Sequence, residues 1–132
     1  MKIDAHVHVF AKASSEFPRL TSAYMPAHSE APVEQLLTAM ETHSIDRAVL
    51  VQTGGTSLAY HAYLRHCLKI YPDYFKGIGL VDAETQNPAA HMDRLAADGR
   101  IIGFRLRSLG GPADPLAPID VRHFSTYPIW QR

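Results

Sequence analysis

The stretch Ile3-Asp4-Ala5-His6-Val7-His8-Val9-Phe10 decides the interpretation of this 132-residue chain. Its small and apolar residues at every second position predict a strand over residues 2–9. Side chains two apart in a strand share a face, so His6 and His8 are expected side by side, with Cα atoms about 6.6 Å apart. Two imidazoles at that spacing reach one metal ion through bonds of about 2.0–2.1 Å. The alternative is a pair of exposed histidines on a solvated face, and the apolar residues between them favour metal binding.

Length and composition indicate one domain, residues 1–132, with 46% hydrophobic and 20% charged residues. Lys+Arg and Asp+Glu both number 13, so nothing favours nucleic acid or a membrane surface as a partner. No secretory leader and no apolar run of about 20 residues is apparent, which predicts a cytoplasmic protein. The lone Cys67 forms no intrachain disulfide and is expected to be a buried or half-buried apolar residue.

Strand and helix patterns alternate along the chain. Further strands are predicted at 47–53, 75–82 and 100–107, and helices at 32–43, 58–71 and 88–98. The segment 108–118 is expected to be a loop, and 120–132 begins to look helical. This order predicts a parallel α/β sheet with right-handed crossovers. The long loop 11–31 is expected to be a lid or a binding segment, and no glycine pattern indicates a dinucleotide site.

Four segments resemble consecutive strands of the amidohydrolase superfamily. The opening His-x-His is similar to that of the first strand, and the match continues through three segments: Arg47-Ala48-Val49-Leu50-Val51-Gln52, Gly77-Ile78-Gly79-Leu80-Val81-Asp82 and Ile102-Gly103-Phe104-Arg105-Leu106. Their order and spacing most resemble the amidohydrolase-related branch that includes sugar-acid and pyrone-dicarboxylate lactonases. The resemblance implies a TIM (β/α)₈ barrel, of which this chain supplies the N-terminal half, about four βα units, and it predicts that the chain is a fragment.

The resemblance also implies a site at the carboxyl ends of the strands. His6 and His8 would be the first-strand ligands of a divalent ion, zinc or manganese, and later strands would supply the other ligands and the base. A metal-free mechanism is the alternative, in which the two histidines contact the substrate. Asp4 is expected either to support the two histidines from behind or to have a structural role, rather than to bind the ion itself.

Arg105 and Gln52 are the predicted substrate-binding residues. Arg105 ends a strand at the same mouth, where a planar bidentate donor suits a substrate carboxylate. The alternative interpretation of Arg105 is a surface cation that pairs with an acidic side chain. Gln52 also lies at a strand end, where it either binds substrate or holds loop backbone. The histidines in the predicted helices are expected to be surface or helix-end residues: His43, His61, His66 and His91.

These observations predict a metal-dependent hydrolase that acts on a lactone or related cyclic ester, with a carboxylate-bearing small molecule as its partner. The alternatives are a decarboxylase of the same superfamily and an inactive half-barrel. In the half-barrel the first and fourth strands would be open apolar edges, which predicts self-association.

Overall fold

The computed structural model describes residues 1–82 and 85–107 and contains one sheet of four parallel strands in the order β1-β2-β3-β4. The strands are β1 (Ile3–Val7), β2 (Arg47–Val51), β3 (Phe75–Asp82) and β4 (Ile101–Arg107). The helices are α1 (Val33–His43), α2 (Ala62–Ile70) and α3 (Pro88–Ala96), and a single 3₁₀ turn (Ala59–His61) precedes α2. The predicted alternation of strands and helices is therefore confirmed, while the segments 108–118 and 120–132 lie outside the described residues.

The first two strands are shorter than predicted. β1 ends at Val7 rather than at residue 9, and its pairing with β2 changes register between Asp4 and Val7. β2 ends at Val51, and the backbone N–H of Gln52 makes one further bond to the carbonyl of Ile78. His8 and Gln52 are therefore the first residues of the loops at the carboxyl end of the sheet.

The helix ends follow the local chemistry of the sequence. Pro32 precedes α1, where its missing N–H has no cost, and Ser44 closes that helix with φ of 53°. Asn87 caps α3 by accepting the N–H of Ala90 at 3.2 Å. Gly99 follows α3 with φ of +70°, a conformation that glycine adopts without strain. The predicted end of α1 and start of α3 are confirmed, whereas α1 begins one residue later than predicted, at Val33, and α3 ends two residues earlier, at Ala96.

The core lies between the helices and one face of the sheet. Leu50 and Phe75 from the strands meet Leu68 and Cys67 from α2, and all four are almost completely buried. Gly77 allows this close approach, since a Cβ there would lie 2.5 Å from Leu68 Cδ1. Cys67 is the buried apolar residue that was predicted, and burial raises the pKa of its thiol to about 12.

The opposite face of the sheet carries no helix among the described residues, and β1 and β4 are its two outer strands there. Each outer strand exposes an isoleucine, Ile3 by 53% and Ile102 by 60%. Among the residues that the structure describes, no helix has the length and hydropathy needed to cross a membrane.

Candidate metal and substrate site

The two opening histidines meet at the carboxyl end of β1. His6 lies in the strand, His8 is the first residue beyond it, and both are exposed. Their Nε2 atoms are 3.3 Å apart, and their rings meet edge to face with centroids 5.0 Å apart. Val7 and Val9 between and beyond them pack toward the core, so the histidines project from the face without helices. The expected juxtaposition of the two imidazoles is present.

The second nitrogen of His8 is held by the neighbouring strand. Nδ1 lies 2.8 Å from the carbonyl oxygen of Val51, the last residue of β2. Because a carbonyl only accepts, Nδ1 carries the proton, and the lone pair of neutral His8 is on Nε2. A metal-ligating histidine is usually oriented in this way, by a hydrogen bond from its other nitrogen.

His6 is anchored through its backbone. Its N–H donates to Oδ1 of Asp4 at 3.0 Å, at the point where the register between β1 and β2 changes. The carboxylate thus satisfies a donor at the irregularity in the strand. This contact is the structural role that was expected of Asp4.

The distance between the two Nε2 atoms fits a shared ion. Two nitrogens bound tetrahedrally at about 2.0–2.1 Å from one ion are separated by about 3.3–3.4 Å, and the observed separation is 3.3 Å. Catalytic zinc takes three protein ligands. No group of three or more His, Cys, Asp or Glu suited to a metal occurs in residues 1–82 and 85–107, so metal binding by His6 and His8 stays a prediction.

Arg105 lies in β4, next to Leu80 of β3 in the pairing register, and is exposed. Phe104 packs against the core cluster, so Arg105 projects from the opposite face, which is also the face of the histidines. Three strand spacings separate β1 from β4, about 14 Å across a flat sheet. That span leaves room for a small molecule between the imidazoles and the guanidinium, and substrate binding by Arg105 stays a prediction.

Gln52 is buried beneath the loop that follows β2. Its Nε2 lies within hydrogen-bond distance of three backbone carbonyls, those of Thr53 at 2.7 Å, Gly55 at 3.2 Å and Tyr60 at 2.8 Å. These contacts correspond to the structural alternative, because they engage the donors of the amide with loop backbone. Contact between Gln52 and substrate stays a prediction that none of these bonds supports.

His61 lies at a helix end, as the N-cap residue of α2, which agrees with one part of its prediction as a surface or helix-end residue, but it is not on the surface. It is completely buried, its Nδ1 donates to the carbonyl of Ser57 at 2.7 Å, and its Nε2 accepts the N–H of Leu80 at 3.0 Å. Burial is the main cause that lowers the pKa of His61 to about 4. The burial of His61 was not predicted because it depends on β3, which extends beyond β2, so that the N–H of Leu80 needs a partner from outside the sheet.

His91 lies against His61, with ring centroids 5.8 Å apart, and is half-buried rather than on the surface. Its Nε2 is enclosed and has no hydrogen-bond partner among the described residues. His43 and His66 are exposed, as predicted. The contact between His61 and His91 was not predicted, because both residues are polar and the sequence pattern gave no sign that they are enclosed.

The long loop after β1 is closed at its base. Phe10 and Ala31 exchange two backbone hydrogen bonds of 3.0 and 2.9 Å, and Ala13 donates to Ala27 at 2.9 Å. The loop is also attached to the next one, since Leu20 N–H donates to Gly54 O at 2.7 Å. The segment predicted as a lid or binding segment is therefore bonded within itself and to the loop after β2, and its role in binding stays a prediction.

Comparison with known proteins agrees with this fold and this site. The family model for amidohydrolases matches residues 3–132, and the chain belongs to the amidohydrolase family. Within that family, its similarity is to the amidohydrolase-related branch that includes pyrone-dicarboxylate hydrolases. The resemblance inferred from the four strand segments is confirmed.

Two solved structures are similar to the chain. A probable 2-pyrone-4,6-dicarboxylic acid hydrolase from Acinetobacter baumannii, with citric acid bound, is 30% identical over 86% of this chain and 42% of its own, with a TM-score of 0.62. A protein from Agrobacterium tumefaciens in its apo form is 22% identical over 82% of this chain and 37% of its own, with a TM-score of 0.51, and supports the fold alone. No match is found among curated proteins. The chain thus spans about two fifths of each of these two structures, and the four parallel strands and three helices of its described residues correspond to part of a TIM (β/α)₈ barrel.

Proposed function

We propose that this chain provides the first-strand metal ligands and a carboxylate-binding arginine of a metal-dependent hydrolase that acts on a lactone or related cyclic ester. The observation that carries the proposal is the separation of 3.3 Å between the Nε2 atoms of His6 and His8, with His8 Nδ1 occupied by Val51. The two Nε2 atoms are thus at the separation that two ligands of one ion would have. Membership of the amidohydrolase family supports the hydrolase class.

The residues have separate tasks in this proposal. His6 and His8 would hold a zinc or manganese ion, which when bound lowers the pKa of a water molecule and polarises a substrate carbonyl. Val51 fixes the tautomer of His8, so that its Nε2 keeps a lone pair for the ion. Arg105 would orient the substrate by a bidentate contact with a carboxylate, on the same face of the sheet. The similarity to a probable pyrone-dicarboxylic acid hydrolase supports a substrate with such a carboxylate.

The test uses the purified chain, loaded with zinc or manganese after removal of metal. The double variant with His6→Ala and His8→Ala is compared with a His43→Ala control, which removes an exposed histidine from the last turn of α1. We expect elemental analysis to find bound metal in the wild type and the control and none in the double variant. Equal stoichiometry in all three proteins would refute the metal assignment.

Turnover is measured with 2-pyrone-4,6-dicarboxylate, a lactone with two carboxylates, by the loss of its ultraviolet absorbance. In a complete barrel that includes these residues and the later strands, we expect hydrolysis that stops when a chelator is added. Release of carbon dioxide in place of ring opening would favour the decarboxylase alternative. If metal binds but neither reaction occurs, only the part of the proposal that assigns His6 and His8 as metal ligands is supported.

We also propose that the chain on its own associates with a second copy through β1 and β4. Within residues 1–82 and 85–107, each outer strand has no strand partner on its outer edge, and each has an exposed isoleucine, Ile3 or Ile102. Sedimentation analysis should show dimers or larger species that dissociate in the Ile3→Lys and Ile102→Lys variants. Leu20→Lys is the control, because Leu20 is similarly exposed, at 52%, but lies in a loop. A monodisperse wild-type monomer would contradict this proposal.

A further inference from the structure

Arg19 is the most enclosed cation in the described residues that plays no part in the proposed chemistry. It lies in the loop 11–31 and is only 9% exposed. No ion pair of the described residues involves it. A buried guanidinium without a carboxylate needs other acceptors for its donors.

Those acceptors are backbone carbonyls of its own loop. The Nε donates to Ala11 O at 3.0 Å, and Nη1 donates to Leu20 O at 3.3 Å and Met25 O at 3.1 Å. The Nη2 donates to Pro26 O at 2.8 Å and Ser29 O at 2.9 Å, with Ser29 Oγ at 3.3 Å. The guanidinium also lies over the ring of Phe10, 5.1 Å from its centroid. One side chain thus joins carbonyls from both ends and the middle of the loop.

The same side chain connects the two segments that hold His8. Phe10 and Ala11, which Arg19 contacts, follow His8 by two and three residues. On the other side, Arg19 Cβ approaches within 3.0 Å of the position that a Cβ on Gly54 would occupy. Gly54 accepts the N–H of Leu20 and lies three residues after Val51. His8 and Val51 are the partners of the 2.8 Å bond that sets the His8 tautomer.

We propose that Arg19 is a positioning residue for the histidine pair. It fixes the loop after β1 against the loop after β2, and so keeps His8 Nδ1 on the carbonyl of Val51 and His8 Nε2 beside His6. The inference rests on the proposed function in that it treats the histidine pair as the working part of the site. Arginine suits this task because its planar fork of five donors reaches carbonyls in several directions, whereas lysine has three donors at one atom.

The experiment follows the imidazole of His8 by nitrogen-15 NMR in wild type, Arg19→Met and Arg19→Lys. Arg65→Met is the control, since Arg65 is an exposed arginine on α2. In the wild type and the control we expect one tautomer with the proton on Nδ1. In Arg19→Met we expect a mixture of tautomers, with at least tenfold faster hydrogen exchange at the amides of Ala13, Leu20 and Ala31. Arg19→Lys should lie between the two.

A second measurement is the zinc dissociation constant, which should rise at least tenfold in Arg19→Met and stay unchanged in Arg65→Met. A loosened loop with an unchanged His8 spectrum would overturn the proposal, because Arg19 would then stabilise only the loop. If the wild type binds no zinc, the proposed function fails while the His8 spectrum still decides the role of Arg19. If Arg19→Met does not fold, Arg19→Lys decides in the same way: a wild-type His8 spectrum in that variant would refute the inference.

Discussion

The molecule contains two histidine pairs with similar ring geometry and opposite surroundings. His6 and His8 meet edge to face with centroids 5.0 Å apart, and His61 and His91 do so at 5.8 Å. The first pair is exposed at the end of β1, whereas His61 is completely buried and His91 is half-buried. Ring proximity is therefore shared by both pairs and does not distinguish a candidate ligand pair from a structural one.

The difference lies in the nitrogens that the fold leaves available. His61 uses both of its nitrogens, Nδ1 as a donor to Ser57 and Nε2 as an acceptor from Leu80. His8 uses only Nδ1 to bind backbone, and its Nε2 faces that of His6. A histidine whose two nitrogens both bind backbone has no lone pair for a metal ion. His8 thus keeps a lone pair for a ligand, whereas His61 joins β3 to the loop before α2.

The largest effect on stability is expected for His61→Ala. The substitution leaves the carbonyl of Ser57 and the N–H of Leu80 without partners and opens a cavity in a fully buried region. We expect the free energy of unfolding to fall by about 3 kcal/mol or more. Urea denaturation followed by circular dichroism measures this loss. A fall of less than about 1 kcal/mol would contradict the view that His61 serves mainly to stabilise the fold, which is what distinguishes it from His6 and His8.

The second prediction concerns the pH dependence of stability. The pKa of His61 is about 4 in the folded chain against 6.5 ordinarily, so between these values the unfolded chain binds a proton that the folded chain does not. Stability from this group is complete above about pH 6.5 and declines as the pH falls toward 4, by about 3 kcal/mol in total.

The variant His61→Gln tests that slope, since glutamine supplies a donor and an acceptor but does not titrate. Denaturation at several pH values from 7 to 4.5 should show a shallower decline for His61→Gln than for the wild type. The exposed His43→Gln serves as the control and should keep the slope of the wild type. Parallel curves for His61→Gln and the wild type would show that another group causes the pH dependence.

An effect of about tenfold is expected for Arg105→Lys on the KM for a carboxylate-bearing lactone. Lysine keeps the charge but loses the bidentate fork, and tenfold corresponds to about 1.4 kcal/mol. Because Arg105 is exposed, we expect the melting temperature to stay nearly unchanged. Steady-state kinetics of a complete metal-loaded enzyme that includes these residues, together with thermal melting, measure both. A clear drop in melting temperature with unaltered kinetics would indicate a structural arginine.

The smallest effect on stability is expected for His6→Ala. The imidazole of His6 is exposed, and the hydrogen bond to Asp4 comes from its backbone N–H, which alanine keeps. We expect the free energy of unfolding without metal to change by about 0.5 kcal/mol or less. Urea denaturation of the metal-free protein provides the measurement. A loss comparable to that of His61→Ala would mean that the exposed pair also serves mainly to hold the fold together.

The sequence predicted most of the secondary structure because the signals were local. The apolar run of β3 and the Asn87-Pro88 start of α3 were located correctly from neighbouring residues alone. The i, i+2 spacing of His6 and His8 likewise indicated a shared face, because alternation is a property of the strand itself. The boundaries of β1 and β2 were less accurate, since strand length depends on pairing, and pairing involves residues more than 40 positions apart.

The sequence by itself thus determined the order of strands and helices, the amidohydrolase resemblance and the pair of candidate ligands. The tertiary structure decided which polar side chains have their nitrogens occupied by backbone groups and which keep a nitrogen available for a ligand. Gln52, His61 and Arg19 all bind backbone groups that the strands and loops leave unpaired. These unpaired backbone groups arise only when the strands and helices are assembled. A buried N–H or carbonyl then requires a hydrogen-bond partner at whatever position the fold has placed it. Local sequence patterns do not show which buried backbone groups will need a hydrogen-bond partner. The structural contacts of these three residues were therefore visible only in the fold.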